Sequence, residues 1–172
     1  PIGVSGTCVA CIMEGSRPIL AEVQALSTKS SLSVPRRMAT GFDYSRLAIL
    51  IAVLEKRVGL FFSTLDVYLN VVGGFKLDEQ AGDLPVILSL YSSIMGFAID
   101  ERTIAFGEIG LGGEVRSVSH IAQRLKEAQR MEFTTCIVPK QSLKSIDTSS
   151  YSMNVIGVSN IKQAFEVIKK GS

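Results

Sequence analysis

The segment that most constrains the fold spans residues 66–93, D-V-Y-L-N-V-V-G-G-F-K-L-D-E-Q-A-G-D-L-P-V-I-L-S-L-Y-S-S. It predicts a strand that ends at a glycine pair, a short acidic turn, and an apolar helix capped by Asp83. Strand–turn–helix junctions of this kind hold the nucleophile in several enzyme classes. Here the turn offers carboxylates, a glutamine and Ala81, so no evident nucleophile lies at its apex.

The size and composition of the chain indicate one well-filled domain over residues 1–172. The chain has 172 residues, of which 47% are hydrophobic, and its net charge is +2. A charge so close to balance does not by itself indicate nucleic-acid binding. No apolar run reaches the roughly 18 to 20 residues that a membrane helix needs, so no membrane partner is expected. Because the chain starts on a strand-like segment without a methionine, we expect a fragment of a longer protein.

Hydrophobic periodicity predicts a chain that contains both strands and helices. The predicted strands span residues 6–13, 18–26, 66–72, 103–109, 114–118, 133–138 and 155–158, and the predicted helices residues 44–58, 83–95, 121–131 and 161–170. Residues 27–34 read as an exposed, mobile loop. The first helix is apolar almost all round its middle and is expected at the centre of the core. Ser119 is the expected cap of the third helix, with Arg124 on that helix's outer face.

The three cysteines allow a metal or redox reading and a structural one. Cys8 and Cys11 have the C-x-x-C spacing of a zinc knuckle or redox pair, but only Cys136 and His120 remain as further ligands. Residues three apart in a strand point to opposite faces. We therefore expect inert, reduced thiols and no metal, which is typical of a cytoplasmic protein.

Arg36 and Arg37 follow Pro35 at a loop-to-strand junction. Adjacent arginines at such a place are suited to contact phosphates. The alternative, of equal weight on these residues alone, is that they are solvated or paired with a carboxylate at the rim of the core.

Several enzyme classes are excluded by motif. No glycine-rich run leads into Lys-Ser or Lys-Thr, residues 107–113 form a glycine-rich turn between strands, and G-x-S-x-G does not occur. Asp78, Glu79 and Asp83 have the chemistry of an acid–base pair. Turn formation and helix capping explain these carboxylates more simply, so we do not expect catalysis in this chain.

Many stretches, in order along nearly the whole chain, resemble the C-terminal domain of the RadA (Sms) family of bacterial DNA repair and recombination proteins. They lie at residues 13–18 (M-E-G-S-R-P), 22–26, 35–37, 41–43, 46–47, 52–57, 66–74 and 107–116 (G-E-I-G-L-G-G-E-V-R). That domain is similar to the proteolytic domain of Lon, which carries a Ser-Lys dyad. The serine position falls on Ala81 and the lysine position on Arg124, so the resemblance implies a pseudoprotease. Gln80 and Gly82 depart from the family pattern, which we expect to loosen the turn.

The resemblance implies a two-layer Lon-protease-like α+β fold with a mixed β-sheet and packed helices. It also implies a ring-shaped homo-oligomer, expected to be a hexamer, and no cofactor in this chain. ATP with Mg²⁺ and zinc are expected only in the RecA-like ATPase and zinc finger of a longer parent protein. Single- or double-stranded DNA would be held through its phosphates, with RecA recombinase as a further partner. The DNA-binding candidates are Arg36 and Arg37, followed by Arg17, Lys29, Arg46 and Arg57.

Two alternatives to this reading stay open on the sequence. The first is an active Lon-like serine peptidase with a displaced nucleophile, for which Ser92 and Ser93 are the candidates. The second is a pure scaffold that makes no contact with DNA.

Overall fold

The computed structural model describes residues 3–171, which form nine strands and four α-helices. The strands are β1 (Thr7–Glu14), β2 (Arg17–Lys29), β3 (Arg37–Thr40), β4 (Leu65–Val71), β5 (Thr103–Ala105), β6 (Glu108–Ile109), β7 (Val115–Arg116), β8 (Thr135–Pro139) and β9 (Asn154–Val158). The helices are α1 (Tyr44–Val53), α2 (Asp83–Met95), α3 (Ile121–Arg130) and α4 (Ile161–Lys170). None of these helices is long and apolar enough to cross a membrane.

Seven of the strands form one mixed sheet in the order β3-β4-β2-β1-β5-β8-β9, and β6 pairs with β7. The long hairpin β1–β2 is antiparallel from Thr7↔Gln24 to Glu14↔Arg17, and β4 lies antiparallel to β2. The pairs β3–β4, β1–β5, β5–β8 and β8–β9 are parallel. The predicted α+β class with a mixed sheet is confirmed.

Helices cover the two sides of this sheet unequally. On one side α1, α2 and α4 share a continuous apolar cluster with β1, β2 and β4. On the other side α3 packs Leu125 and Ala128 against a second cluster built on β1, β5 and β8. Consequently the β1–β5–β8 half of the sheet has helices on both sides, whereas β3, β4 and the end of β2 have them on one side only.

Helix α1 begins where the sequence predicts and ends in a π-helical turn, Leu54–Val58. Asp43 caps it, since a carboxylate oxygen of Asp43 accepts a hydrogen bond from the Arg46 amide at 3.0 Å. Gly59 ends it with φ of +78°, a conformation that costs glycine little. The expectation that this helix is central to the core was wrong, because Ala48 and Ile49 are exposed on its outer side.

Three further predictions need correction. Residues 27–29 are not loop but continue β2, because their backbone pairs with residues 65–67 of β4. The predicted strand 103–109 is two short strands, β5 and β6. Helix α3 is preceded by His120 in the left-handed region (φ +58°), with no side-chain cap; the Ser119 hydroxyl contacts the His120 ring instead.

Candidate functional site

Ala81 lies in a short 3₁₀ turn, Gln80–Gly82, that leads directly into α2. The residue is buried, and its carbonyl accepts a hydrogen bond from the Gly107 amide at 2.9 Å. The expectation that Gly82 loosens this turn was wrong. A Cβ at Gly82 would approach the Leu77 side chain to 2.4 Å, so glycine allows the turn and the preceding segment to pack closely.

Arg124 is fully buried, which corrects the prediction that it lies on the outer face of α3. Its guanidinium donates to both carboxylate oxygens of Glu79, at 2.6 and 3.2 Å. It also donates to the carbonyls of Cys11 at 2.6 Å and Ser119 at 2.8 Å. The guanidinium carbon lies 5.8 Å from the centre of the Phe106 ring. The structure therefore joins α3 to the turn that holds Ala81.

Glu79, for which the sequence suggests a turn-forming or an acid–base role, is the partner of Arg124 in this cluster. It precedes Ala81 by two positions, and besides Arg124 it accepts the Met13 amide at 3.1 Å. Its carboxylate thus links β1, α3 and the turn. The contact with Arg124 joins residues 45 apart in the chain, a distance over which no local pattern operates.

Chemically, this cluster lacks both groups of a Ser-Lys dyad. Ala81 has no nucleophilic atom, and an arginine guanidinium stays protonated and cannot act as a base. The donors of Arg124 are used by a carboxylate and two carbonyls. A buried arginine with this many partners is a structural group.

A second ion pair lies on the other side of the turn. Asp83 is fully buried and accepts hydrogen bonds from the Arg46 guanidinium and, at 3.1 Å, from the Ile109 amide. Arg46 also donates to the Ile109 carbonyl at 2.8 Å. The hydrogen bond to Asp83 raises the pKa of Arg46 above its usual value. Asp83 is therefore not the helix cap that the sequence predicted but an anchor for α1 and β6.

A cleft of about 440 Å³ lies beside the two ion pairs. Phe42 and Leu77 give it an apolar part, and its remaining lining is mostly charged or polar. The lining comprises Gly41, Phe42, Asp43, Arg46, Lys76, Leu77, Asp78, Glu79, Gln80 and Asp83. The cleft thus lies beside the turn that carries Ala81.

Ser92 and Ser93, the candidates for a displaced nucleophile, both have structural hydrogen bonds. The Ser92 hydroxyl is buried, accepts the Gly6 amide at 2.8 Å and donates to the Phe97 carbonyl. The Ser93 hydroxyl accepts the Ser27 amide at 2.9 Å and contacts the Ser27 hydroxyl. These contacts tie α2 to the β-sheet and to the chain before β1.

The three cysteines are free and buried. Cys8 and Cys11 belong to the apolar clusters on opposite sides of the sheet, as their spacing predicts. Burial raises the pKa of each of these two thiols to about 12, and it raises the pKa of Cys136 as well. Within residues 3–171 no three histidine, cysteine or acidic side chains converge as a metal site would require.

Three of the predicted DNA-binding residues meet at one end of the sheet, which we call the basic end: Lys29, Arg36 and Arg37. Lys29 pairs with Leu65, and the Arg36 amide donates to the Asp66 carboxylate at 2.7 Å. This hydrogen bond lowers the pKa of Asp66 below its usual value. Lys29 and Arg36 are exposed.

Arg37 has a different environment from Arg36. Because side chains alternate along a strand, it points to the other side of the sheet from Met38. Its guanidinium donates to the carbonyls of Leu65 and, at 2.7 Å, Phe62. Arg37 thus joins β3 to the segment before β4, and Arg36 is left as the arginine of the pair that faces solvent.

The remaining candidates are scattered over the molecule. Arg17 starts β2, at the opposite end of that 13-residue strand from Lys29. Arg57 is exposed and donates to the Leu111 carbonyl at 3.2 Å. Arg46 is committed to Asp83. The structure does not bring these three to the basic end.

A sequence model of the family described as "Subunit ChlI of Mg-chelatase" matches residues 43–142, more than half of the chain. The chain belongs to this family. The ChlI-family match includes Glu79, Ala81 and Arg124 but none of the three residues of the basic end. The ion-paired turn thus lies in the part of the chain that the family defines, and the basic end lies outside it.

Curated relatives match almost the whole chain. Over 96% of the ChlI-family chain, the sequence is 47% identical to a protein named DNA repair protein RadA from Halalkalibacterium halodurans. Over 94% of the chain, it is 47% identical to the protein of the same name from Bacillus subtilis. A Streptococcus pneumoniae protein of the same name is 45% identical over 98% of the chain. The matches cover 36%, 35% and 39% of those proteins, so the chain spans little more than a third of their length.

Proposed function

We propose that this chain is a non-proteolytic scaffold domain that contacts DNA, within a longer RadA-like ATPase of DNA repair and recombination. Its close similarity over nearly the whole chain to proteins named DNA repair protein RadA supports that role. The domain works in the cytoplasm and self-associates in a ring. ATP, Mg²⁺ and zinc belong to other parts of the longer protein.

The observation that carries the non-proteolytic part is the ion pair beside Ala81 between the buried Arg124 and the half-buried Glu79. The Lon resemblance assigns the two dyad positions to Ala81 and Arg124. Ala81 has no nucleophilic side chain, and the Arg124 guanidinium is buried and paired with Glu79. Removing one partner of a buried pair leaves an uncompensated charge. Ala81 and Arg124 therefore contribute to packing rather than to peptide hydrolysis.

The observation that favours DNA contact is the basic end. Lys29 and Arg36 are exposed there, and the Asp66 carboxylate fixes the Arg36 backbone. Cations held at a strand end suit phosphates, and such contacts read no base sequence. The domain would thus hold DNA through its backbone, with RecA recombinase as a further partner of the longer protein.

Fluorescence anisotropy with labelled single- and double-stranded oligonucleotides tests this proposal. We expect binding that is independent of sequence and weakens steeply between about 50 and about 200 mM salt. A fluorogenic-peptide and casein assay run on the same preparation should show no turnover. Absence of DNA binding at low salt would contradict the DNA contact and support the alternative, a scaffold that makes no contact with DNA. Turnover abolished by Ser92→Ala or Ser93→Ala would establish a peptidase instead.

A further inference from the structure

The half of the sheet that lacks a second helix layer exposes an apolar row. Leu26, Tyr68 and Met38 lie side by side on β2, β4 and β3, since Leu26 pairs with Tyr68 and Met38 with Tyr68. Leu26 is 59% exposed and Met38 55%. Val4, 51% exposed, adjoins the row across a shallow groove.

A second row of polar, uncharged side chains runs parallel to the first. Gln24, Asn70 and Thr40 are paired across the same three strands. We call the surface formed by these two rows the open face. It offers aliphatic and aromatic area beside amide and hydroxyl groups, and its six side chains carry no formal charge. Contiguous exposed apolar area, unlike single exposed apolar residues, marks interaction sites on proteins.

Helix α1 presents a matching surface on the opposite side of the same part of the sheet. Ser45, Ala48, Ile49 and Ala52 are exposed at a spacing that places them along one stripe, with Tyr44 beside it. Ile49 is 38% exposed and Tyr44 56%. We call this stripe the outer face of α1. It too carries no formal charge.

The other helices are unlike α1 in this respect. The exposed side of α3 carries Lys126 and Arg130, and that of α4 carries Lys162 and Glu166. Helix α2 is buried along most of its length. Among the four described helices, α1 is therefore the one with an uncharged apolar surface turned to solvent.

We propose that the outer face of α1 in one copy of this chain packs on the open face of the next copy. This rests on the self-association in the proposed function and names the two surfaces that make it. A sheet with one bare apolar side is completed by a layer of helix, and the contact would supply the layer that β3, β4 and β2 lack. It would bury both uncharged surfaces at once.

Size and charge both favour this occupant. The outer face of α1, from Tyr44 to Ala52, is about 12 Å long, since each residue adds about 1.5 Å. The three strands that carry the open face are about 10 Å across, at about 4.8 Å between neighbours. Interface cores are depleted of charged groups, as both surfaces are. DNA is disfavoured here because the open face itself carries no cation.

The positions of the two surfaces determine the kind of contact between copies. The two surfaces differ and lie on opposite sides of the β3–β4–β2 half, so the contact is head-to-tail rather than two-fold. Repetition of a head-to-tail contact closes into a ring or continues as a filament. The basic end stays at the margin of this contact, where successive copies would present their Arg36 side chains in series.

Size-exclusion chromatography with light scattering tests this on three variants of the chain. Ile49→Asp alters the outer face of α1, and Met38→Asp alters the open face. Met131→Asp is the matched control, since Met131 is 42% exposed at the end of α3 and belongs to neither surface. All three sites are exposed, and thermal unfolding will confirm that each variant is folded.

The wild type and Met131→Asp should assemble, while Ile49→Asp and Met38→Asp should each be monomeric. An equimolar mixture of these two variants should form a dimer and nothing larger, because one intact surface of each kind remains. Assembly retained by either single variant overturns this interface while leaving self-association intact. A monomeric wild type overturns self-association itself, and DNA binding, measured separately, is unaffected by either result.

Discussion

The Arg124 guanidinium and the Glu79 carboxylate form a bidentate ion pair that joins α3 to the turn containing Ala81. The Arg124 side chain is 1% exposed and that of Glu79 27%. The same arginine also satisfies the carbonyls of Cys11 and Ser119. One side chain therefore holds together β1, α3 and the turn that leads into α2.

The first prediction concerns the stability of this pair. Arg124→Leu removes the partner of Glu79 and leaves two carbonyls unpaired, so we expect the free energy of unfolding to fall by about 3 to 5 kcal/mol. Urea denaturation measures it. Arg130→Ala is the control on the same helix, because it breaks a solvent-screened surface pair with Glu127 and should cost far less than Arg124→Leu. Equal losses in the two variants would contradict the structural role of Arg124.

The second prediction is that Ser92 acts in folding rather than in chemistry. Ser92→Ala leaves the buried Gly6 amide without its acceptor, and an unsatisfied buried group costs about 1 to 3 kcal/mol. Thermal unfolding should show the loss. The peptidase assay should be as inactive before the substitution as after it. Full stability of Ser92→Ala would show that the hydrogen bond to Gly6 contributes nothing.

The third prediction is that the cysteines resist alkylation in the folded protein. Burial raises the pKa of Cys8 and Cys11 to about 12, and the thiolate is the reactive species. At about pH 8 iodoacetamide should label none of the three thiols in the native chain and all three in denaturant. Mass spectrometry counts the adducts. Rapid labelling of Cys8 or Cys11 in the native chain would indicate a reactive pair.

The fourth prediction concerns pH and the support of Arg36. The amide of Arg36 donates to Asp66 and lowers the pKa of that carboxyl, so the ionised form is favoured in the folded state. A group with a lowered pKa stabilises the fold above its unfolded pKa, and this contribution is lost as pH falls through the folded value. Asp66→Asn should therefore be less stable than wild type near neutral pH.

Unfolding followed across pH checks the sign of this effect. The difference between wild type and Asp66→Asn should be largest near neutral pH and should shrink below about pH 4, where an ordinary aspartate protonates. A difference that grows on acidification would mean that Asp66 does not hold the basic end through its charge.

Much of the fold follows from the sequence, because the periodic segments determine their own elements. Helices α1, α2 and α4 begin within a residue of their predicted starts, and the capping role of Asp43 is confirmed by its hydrogen bond. The strand end at residues 27–29 was missed because its side chains are polar. Its backbone is nevertheless ordered by β4, a partner distant in the chain.

The candidate site was less predictable, because its contacts also join residues that are distant in the chain. The placement of Ala81 at the start of α2 follows from local pattern, but the burial of Arg124 does not. Its neighbours in sequence are a leucine and a glutamine, and only the position of Glu79 makes burial of a charge tolerable. Likewise the commitment of Arg46 to Asp83, 37 residues away, could not be read from either residue's surroundings.

DNA bound at the basic end, rather than at the turn that carries Ala81, should depend on Lys29 and Arg36. Anisotropy at several salt concentrations measures the affinity for single-stranded DNA of Lys29→Ala/Arg36→Ala beside the control Arg17→Ala. The double variant should bind more weakly, with a salt dependence that is shallower by about one to two in the slope. Arg17→Ala should bind as wild type does. Unchanged affinity and slope in the double variant would show that DNA is not held at the basic end.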